Sequence, residues 1–143
     1  MDYEMQAAEN RKENEKCLKI FENDLKAKGL SEKTIEMHLF NVEFYINTFL
    51  NDINLLPMDQ GFGKIAEFLG YWYIRNAMWS TCQSIKDSSV GIKKFYKCMM
   101  ENNKIDGCDY KMLCGTIKTC MPEWLLAMEE YNDFDSDDDM YNF

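Results

Sequence analysis

Apolar residues recur at intervals of three and four along most of this chain, and that spacing gathers them on one side of a helix. Sustained alternation of apolar and polar residues, the pattern of a half-buried strand, is nearly absent. The chain is 46% hydrophobic, which is enough to form the core of one domain. Its 143 residues are too few for two full domains. The sequence therefore predicts a single all-α domain.

Turn-forming residues divide the periodic pattern into helices. Gly29 and Ser31 separate the first two, Pro57 and two glycines make residues 54–63 a loop, and Ser80 is the expected N-cap of a long helix. The predicted helices span about 8–28, 32–50, 62–76, 81–102 and 108–120, followed by a short segment from Pro122. The predicted organisation is a helical domain over 1–105, a helical extension over 106–132 that packs on it, and an acidic disordered tail over 133–143.

Charge is distributed unevenly. The net charge is −9, but eight of the 25 acidic residues lie from Glu123 onward, where the chain has no Lys or Arg. The preceding part is close to neutral. Such a tail repels phosphate or competes for a basic groove; alternatively, it is a solvated terminus that aids solubility.

Several classes of protein are not expected. No run of about 18 apolar residues is present, and no apolar stretch follows a basic one at the start, so we expect neither a membrane span nor a secretory signal and predict a cytoplasmic protein. The six cysteines are scattered through apolar helical stretches and are expected to be free thiols. With a single histidine, His38, far from the cysteines, no metal site or other cofactor is expected.

Between Phe21 and Ile105 a series of short patterns follows in a defined order and spacing. They are Gly29-Leu30-Ser31-x-x-Thr34-Ile35-x-x-His38, Phe68-Leu69-x-x-Trp72, and Ser84-Ile85 followed by Ile92-Lys93-x-Phe95-Tyr96. This series resembles the N-terminal SAM-like, or core-binding, domain of phage integrases and other tyrosine recombinases, although His38 stands where that family usually has an aromatic residue. The resemblance implies a compact bundle of four to five helices that clamps one side of a recombination site.

The resemblance places catalysis in a separate C-terminal domain. That chemistry uses several arginines, a lysine, histidines and a tyrosine nucleophile, with the cations stabilising charge that develops on phosphorus. This chain has two arginines, one histidine and 38 residues after Ile105. We therefore expect no enzymatic activity and no small-molecule substrate.

Four lysines on the predicted helix over 81–102 form a possible contact for double-stranded DNA. Lys86, Lys93 and Lys97 fall within about 40° of one another on a helical projection, and Lys94 extends this lysine ridge. The resemblance implies that this helix and the start of the second helix face duplex DNA. The predicted DNA-binding residues are Lys33, Thr34, Ser80, Thr81, Gln83, Lys86, Lys93, Lys94 and Lys97. Alternatively, the lysines simply solvate the outer face of an amphipathic helix.

The second helix carries an additional apolar stripe, formed by Met37, Phe40 and Phe44, opposite the side that faces the core. We expect the C-terminal extension to cover it with Trp124, Leu125 and Met128. If uncovered, the stripe is a site for a second copy or a protein partner. The alternative function is accordingly a protein-interaction module on the same scaffold that has lost DNA binding and regulates a recombinase.

Overall fold

The computed structural model describes the backbone of residues 2–141 and the side chains of residues 2–133. This part of the chain is almost entirely helical and contains no strand, which confirms the all-α prediction. Six α-helices follow in order: α1 (Tyr3–Ala27), α2 (Glu32–Glu43), α3 (Ile65–Glu67), α4 (Tyr73–Asn76), α5 (Cys82–Glu101) and α6 (Gly107–Tyr141). Two π-helical stretches, Phe44–Ile53 and Phe68–Trp72, continue α2 and join α3 to α4, and a 3-10 turn spans Met58–Gly63.

The starts of α2 and α5 are set by local hydrogen bonds. Ser31 caps α2 as expected, its hydroxyl accepting the Thr34 N–H. The cap of α5 is Thr81 and not Ser80: Thr81 and Ser84 each accept the other's backbone N–H in a capping box. Ser80 instead donates to the carbonyl of Ile74, 3.1 Å away, and this ties the preceding turn to α4.

Helix α1 begins at Tyr3, five residues before the predicted start. The added turns have a local cap, since the Asp2 carboxylate accepts the Met5 N–H, and the Tyr3 hydroxyl ties them to the π-helical stretch 44–53 by donating to the Asp52 carbonyl at 2.9 Å. Buried amides fix the following turns against the same stretch. The Asn10 amide donates to the Asn51 side chain at 2.9 Å, and the Asn14 amide donates to Asn47 at 2.8 Å. Buried polar groups need such partners, and apolar periodicity gives no sign of them.

The predicted loop 54–63 is held firmly against the core. The Tyr96 hydroxyl donates to the Met58 carbonyl at 2.7 Å, and the buried Tyr45 hydroxyl donates to the carbonyl of Gly61. A Cβ atom on Gly61 would lie 2.1 Å from the Tyr96 oxygen, so a side chain has no room there. The two tyrosine hydroxyls thus hold this segment as an ordered 3-10 turn, where the sequence predicts a loop.

The last helix is continuous where the sequence predicts a helix over 108–120 and a separate segment from Pro122. Pro122 lies inside α6 and does not end it, and the helical backbone runs on to Tyr141. After Pro122 the chain has no glycine or proline to stop a helix. Because Trp124 and Met128 are buried in the core shared with α5, tertiary packing compensates for the backbone hydrogen bond that Pro122 removes.

Candidate nucleic-acid interface

Helix α5 presents the lysine ridge because its opposite side is fully buried. Ile85, Ile92 and Tyr96 have no exposed surface and fix the rotation of the helix about its axis. The four ridge lysines are exposed as a consequence, and none forms an ion pair within the part of the chain whose side chains are described. From Lys86 to Lys97 the ridge is about 16 Å long, the length of about five base pairs along a duplex.

Two carboxylates on α5 reduce the positive charge of this surface. Glu101 is exposed near the end of the helix, and Asp87 accepts a hydrogen bond of 3.0 Å from the Gln83 amide. Four lysines and two carboxylates leave the outer side of α5 with a net positive charge on a chain that is negative as a whole. The ridge is therefore a local basic surface of moderate strength.

The other predicted DNA contacts fall into two groups. Lys33 is exposed and makes no ion pair with a described side chain. The polar residues already make hydrogen bonds within the chain: Thr34 accepts from the Ser31 hydroxyl, Ser80 donates to the Ile74 carbonyl, Thr81 caps α5, and Gln83 donates to Asp87. These internal bonds leave the four polar side chains fewer groups with which to contact DNA than the ridge lysines have.

The two helix starts that carry these residues do not meet. Helix α2 crosses α5 in the antiparallel sense, since the rings of Phe40, late in α2, and Phe44, directly after it, lie 5.5 and 5.1 Å from the ring of Trp79, just before α5. Lys33 is seven residues before Phe40 and therefore about 10 Å further along the axis of α2. Lys33 and Thr34 are thus separated from the residues at the start of α5.

His38 is a core residue at the crossing of α2 and α5. A Cβ atom on Gly91 would lie 3.2 Å from His38 Nδ1 and 3.6 Å from its Cα, so the glycine permits a very close approach of the two helices. His38 is only 3% exposed, and its Nδ1 has no hydrogen-bond partner among the described residues. Burial lowers the pKa of His38, as does the nearby Lys94, while Asp87 raises it less.

Stability is expected to depend on pH through His38, the single histidine of the chain. Burial in the folded state disfavours protonation of His38. The free energy of unfolding of the domain is therefore highest above the unfolded pKa of about 6.5 and decreases as the pH falls below that value. Between pH 7.5 and 5.5 we expect a loss of up to about 1.4 kcal/mol, measured by urea unfolding. The variant His38→Leu should lose most of this dependence; an unchanged pH profile in that variant would contradict the assignment.

Helix α6 carries the acidic segment away from the far half of the ridge. It runs antiparallel to α5 and passes the start of that helix where the Cys82 thiol donates to the Leu125 carbonyl at 3.6 Å. From Leu125 the helical backbone continues to Tyr141, about 24 Å beyond this point. Lys93 and Lys97 lie in the opposite half of α5, so the helix direction separates them from the acidic segment. The side chains from residue 134 onward are outside the described residues.

The extra apolar stripe of α2 is not covered by α6, contrary to expectation. Trp124 packs instead at Gly70 in the π-helical stretch 68–72, where a Cβ atom would lie 2.6 Å from the indole ring. Trp79 contacts the stripe, yet Met37 and Phe40 remain 39% and 53% exposed. The reason is that Gly70 has no side chain, so the indole of Trp124 packs closely against the stretch 68–72 and not against the stripe.

Comparisons with known proteins leave the family open. No protein-family model matches the chain, and neither curated proteins nor solved structures show a significant similarity to it. Within the described residues, no helix has the length and apolar character needed to cross a membrane. Residues 2–133 also bring no three His, Cys, Asp or Glu side chains together as a metal site.

Proposed function

We propose that this chain is a non-catalytic DNA-binding module, similar to the core-binding domain of tyrosine recombinases, that acts as an accessory in DNA integration or recombination. The observation that carries the proposal is the lysine ridge on α5: four exposed ammonium groups on one side of a rigid helix, with no ion pair to a described carboxylate. Phosphate groups are the natural counterions for such a row.

The chemistry of the ridge favours contact with the DNA backbone over reading of bases. Lysine acts as a point charge, whereas guanine recognition favours the planar fork of arginine, and α5 contains no arginine. With about four phosphate contacts, binding should be weak and nearly independent of sequence. The other predicted contacts, Lys33, Thr34, Ser80, Thr81 and Gln83, add at most a few hydrogen bonds or one further charge.

A salt titration tests the proposal. For four contacts the slope of log K against log salt should be about −3.6, so affinity for a random duplex should fall roughly 150-fold from about 50 to about 200 mM salt. The measurement is fluorescence anisotropy of a labelled duplex at several salt concentrations. Absence of binding at the lowest concentration would contradict DNA binding by this chain.

The acidic tail provides a second comparison in the same assay. A variant in which the aspartates of 133–143 are changed to asparagine should bind the duplex several-fold more tightly at low salt, because five repelling charges are removed without shortening the chain. Equal affinities would mean that the tail is a solubilising segment only. If neither protein binds, the alternative function, a protein-interaction module, is favoured. The observation that supports it is the exposure of Met37, Phe40 and Trp79.

A further inference from the structure

Three aromatic rings meet at the surface beside the start of α5. The ring of Trp79 lies 5.5 Å from that of Phe40 and 5.1 Å from that of Phe44, with interplanar angles of 60° and 73°. Together with Glu43, Asn47 and Thr48 they line a groove of about 260 Å³, here called the aromatic groove. Phe40 and Trp79 are 53% and 45% exposed, so their rings are accessible from solvent.

The charge of the aromatic groove is negative. Glu43 is exposed, forms no ion pair with a described side chain, and is the charged member of the lining; none of the described lining residues is basic. Glu32 and Glu36 fall within about 40° of Glu43 on the helical projection of α2, so three carboxylates lie along one side of the aromatic rings. Lys33 falls in line with Phe40 and Phe44 on this projection, but it is about 10 Å from Phe40 along the helix axis. Ring faces attract cations, and a neighbouring carboxylate adds to that attraction.

The molecule already uses the same chemistry elsewhere. The Arg75 guanidinium lies 3.9 Å from the centre of the Tyr71 ring and 5.9 Å from that of Tyr131. There the chain supplies its own cation. The aromatic groove has the rings and a carboxylate but no arginine or lysine of its own among the described residues.

We propose that the aromatic groove binds an arginine side chain of a partner protein. The guanidinium would stack on Trp79 or Phe40 and pair with Glu43. Met37 is near Phe40 in the sequence, and the almost fully exposed Met78 directly precedes Trp79. Apolar residues on either side of the partner's arginine could pack on these two methionines. A phosphate backbone is disfavoured because of the carboxylates, so the groove and the lysine ridge would bind partners of opposite charge.

The test uses the full chain and two pentapeptides that differ in charge alone. Both have leucine and alanine around a central residue, which is arginine in one and its neutral isostere citrulline in the other. The readout is the indole N–H signal of Trp79 in a two-dimensional NMR spectrum, assigned with Trp79→Phe. We expect the arginine peptide to shift this signal at millimolar concentration and the citrulline peptide to bind about two- to fivefold more weakly, the effect of one exposed cation–π contact.

Two surface variants and a control complete the design. Glu43→Gln and Phe40→Ala should each weaken arginine-peptide binding about two- to fivefold. Glu9→Gln makes the same charge change at an exposed position on α1 and should leave binding unchanged. Equal binding of the two peptides, or no shift of the Trp79 signal with the arginine peptide, would each overturn the proposal. None of these results depends on whether the lysine ridge binds DNA.

Discussion

Changing both Lys93 and Lys97 to glutamate is expected to weaken duplex binding at least roughly 100-fold at low salt. Each substitution removes one phosphate contact and places a negative charge where the backbone of the DNA would lie. Both side chains are exposed, so the fold should not be affected. Since two contacts remain, the slope of log K against log salt should decrease in magnitude from about 3.6 to about 1.8.

A charge-matched control separates the ridge from the overall charge of the molecule. Lys12→Glu together with Lys118→Glu makes the same change in net charge on α1 and α6, at exposed lysines that form no ion pair with a described residue. That control should lose much less affinity than the ridge variant. If the two double variants bind equally, or if the ridge variant binds as well as the parent chain, α5 is not the DNA contact.

The largest expected effect on stability is that of Trp124→Ala, which should lower the free energy of unfolding by about 3–5 kcal/mol. The indole is 3% exposed and fits against Gly70, where no side chain competes for the space. Its removal leaves a cavity between α6 and the π-helical stretch 68–72. Urea unfolding followed by far-UV circular dichroism measures the loss.

Leu126→Ala is the matched control for this prediction. Leu126 lies two residues further on the same helix but is 56% exposed, and its truncation should change stability by no more than about 0.5 kcal/mol. A similar small change for Trp124→Ala would mean that the packing of its indole against Gly70 contributes little to stability.

The accuracy of the sequence predictions follows the range of the interactions that decide each element. Helix α5 was predicted to within about one residue at each end because apolar spacing defines it, although the expected cap was Ser80 and the observed one is Thr81. The early start of α1 was missed because apolar spacing shows neither its Asp2 cap nor the hydrogen bond from Tyr3 to Asp52, 49 positions away. The lysine ridge was found because it needs only the geometry of one helix, whereas the aromatic groove needs Trp79 to reach α2.

The sequence by itself determined the all-α class, most helix positions and the lysine face of α5, because these depend on residues within a few turns of one another. Only the tertiary structure decided that α6 covers the segment 68–72, that Met37 and Phe40 of the α2 stripe stay exposed while Phe44 packs on Phe68 and Trp72, and that the start of α5 is separated from Lys33. Periodicity shows that a helix face is apolar but not which other face will cover it. That choice depends on the fit of particular surfaces, here the empty position at Gly70 that receives the indole of Trp124.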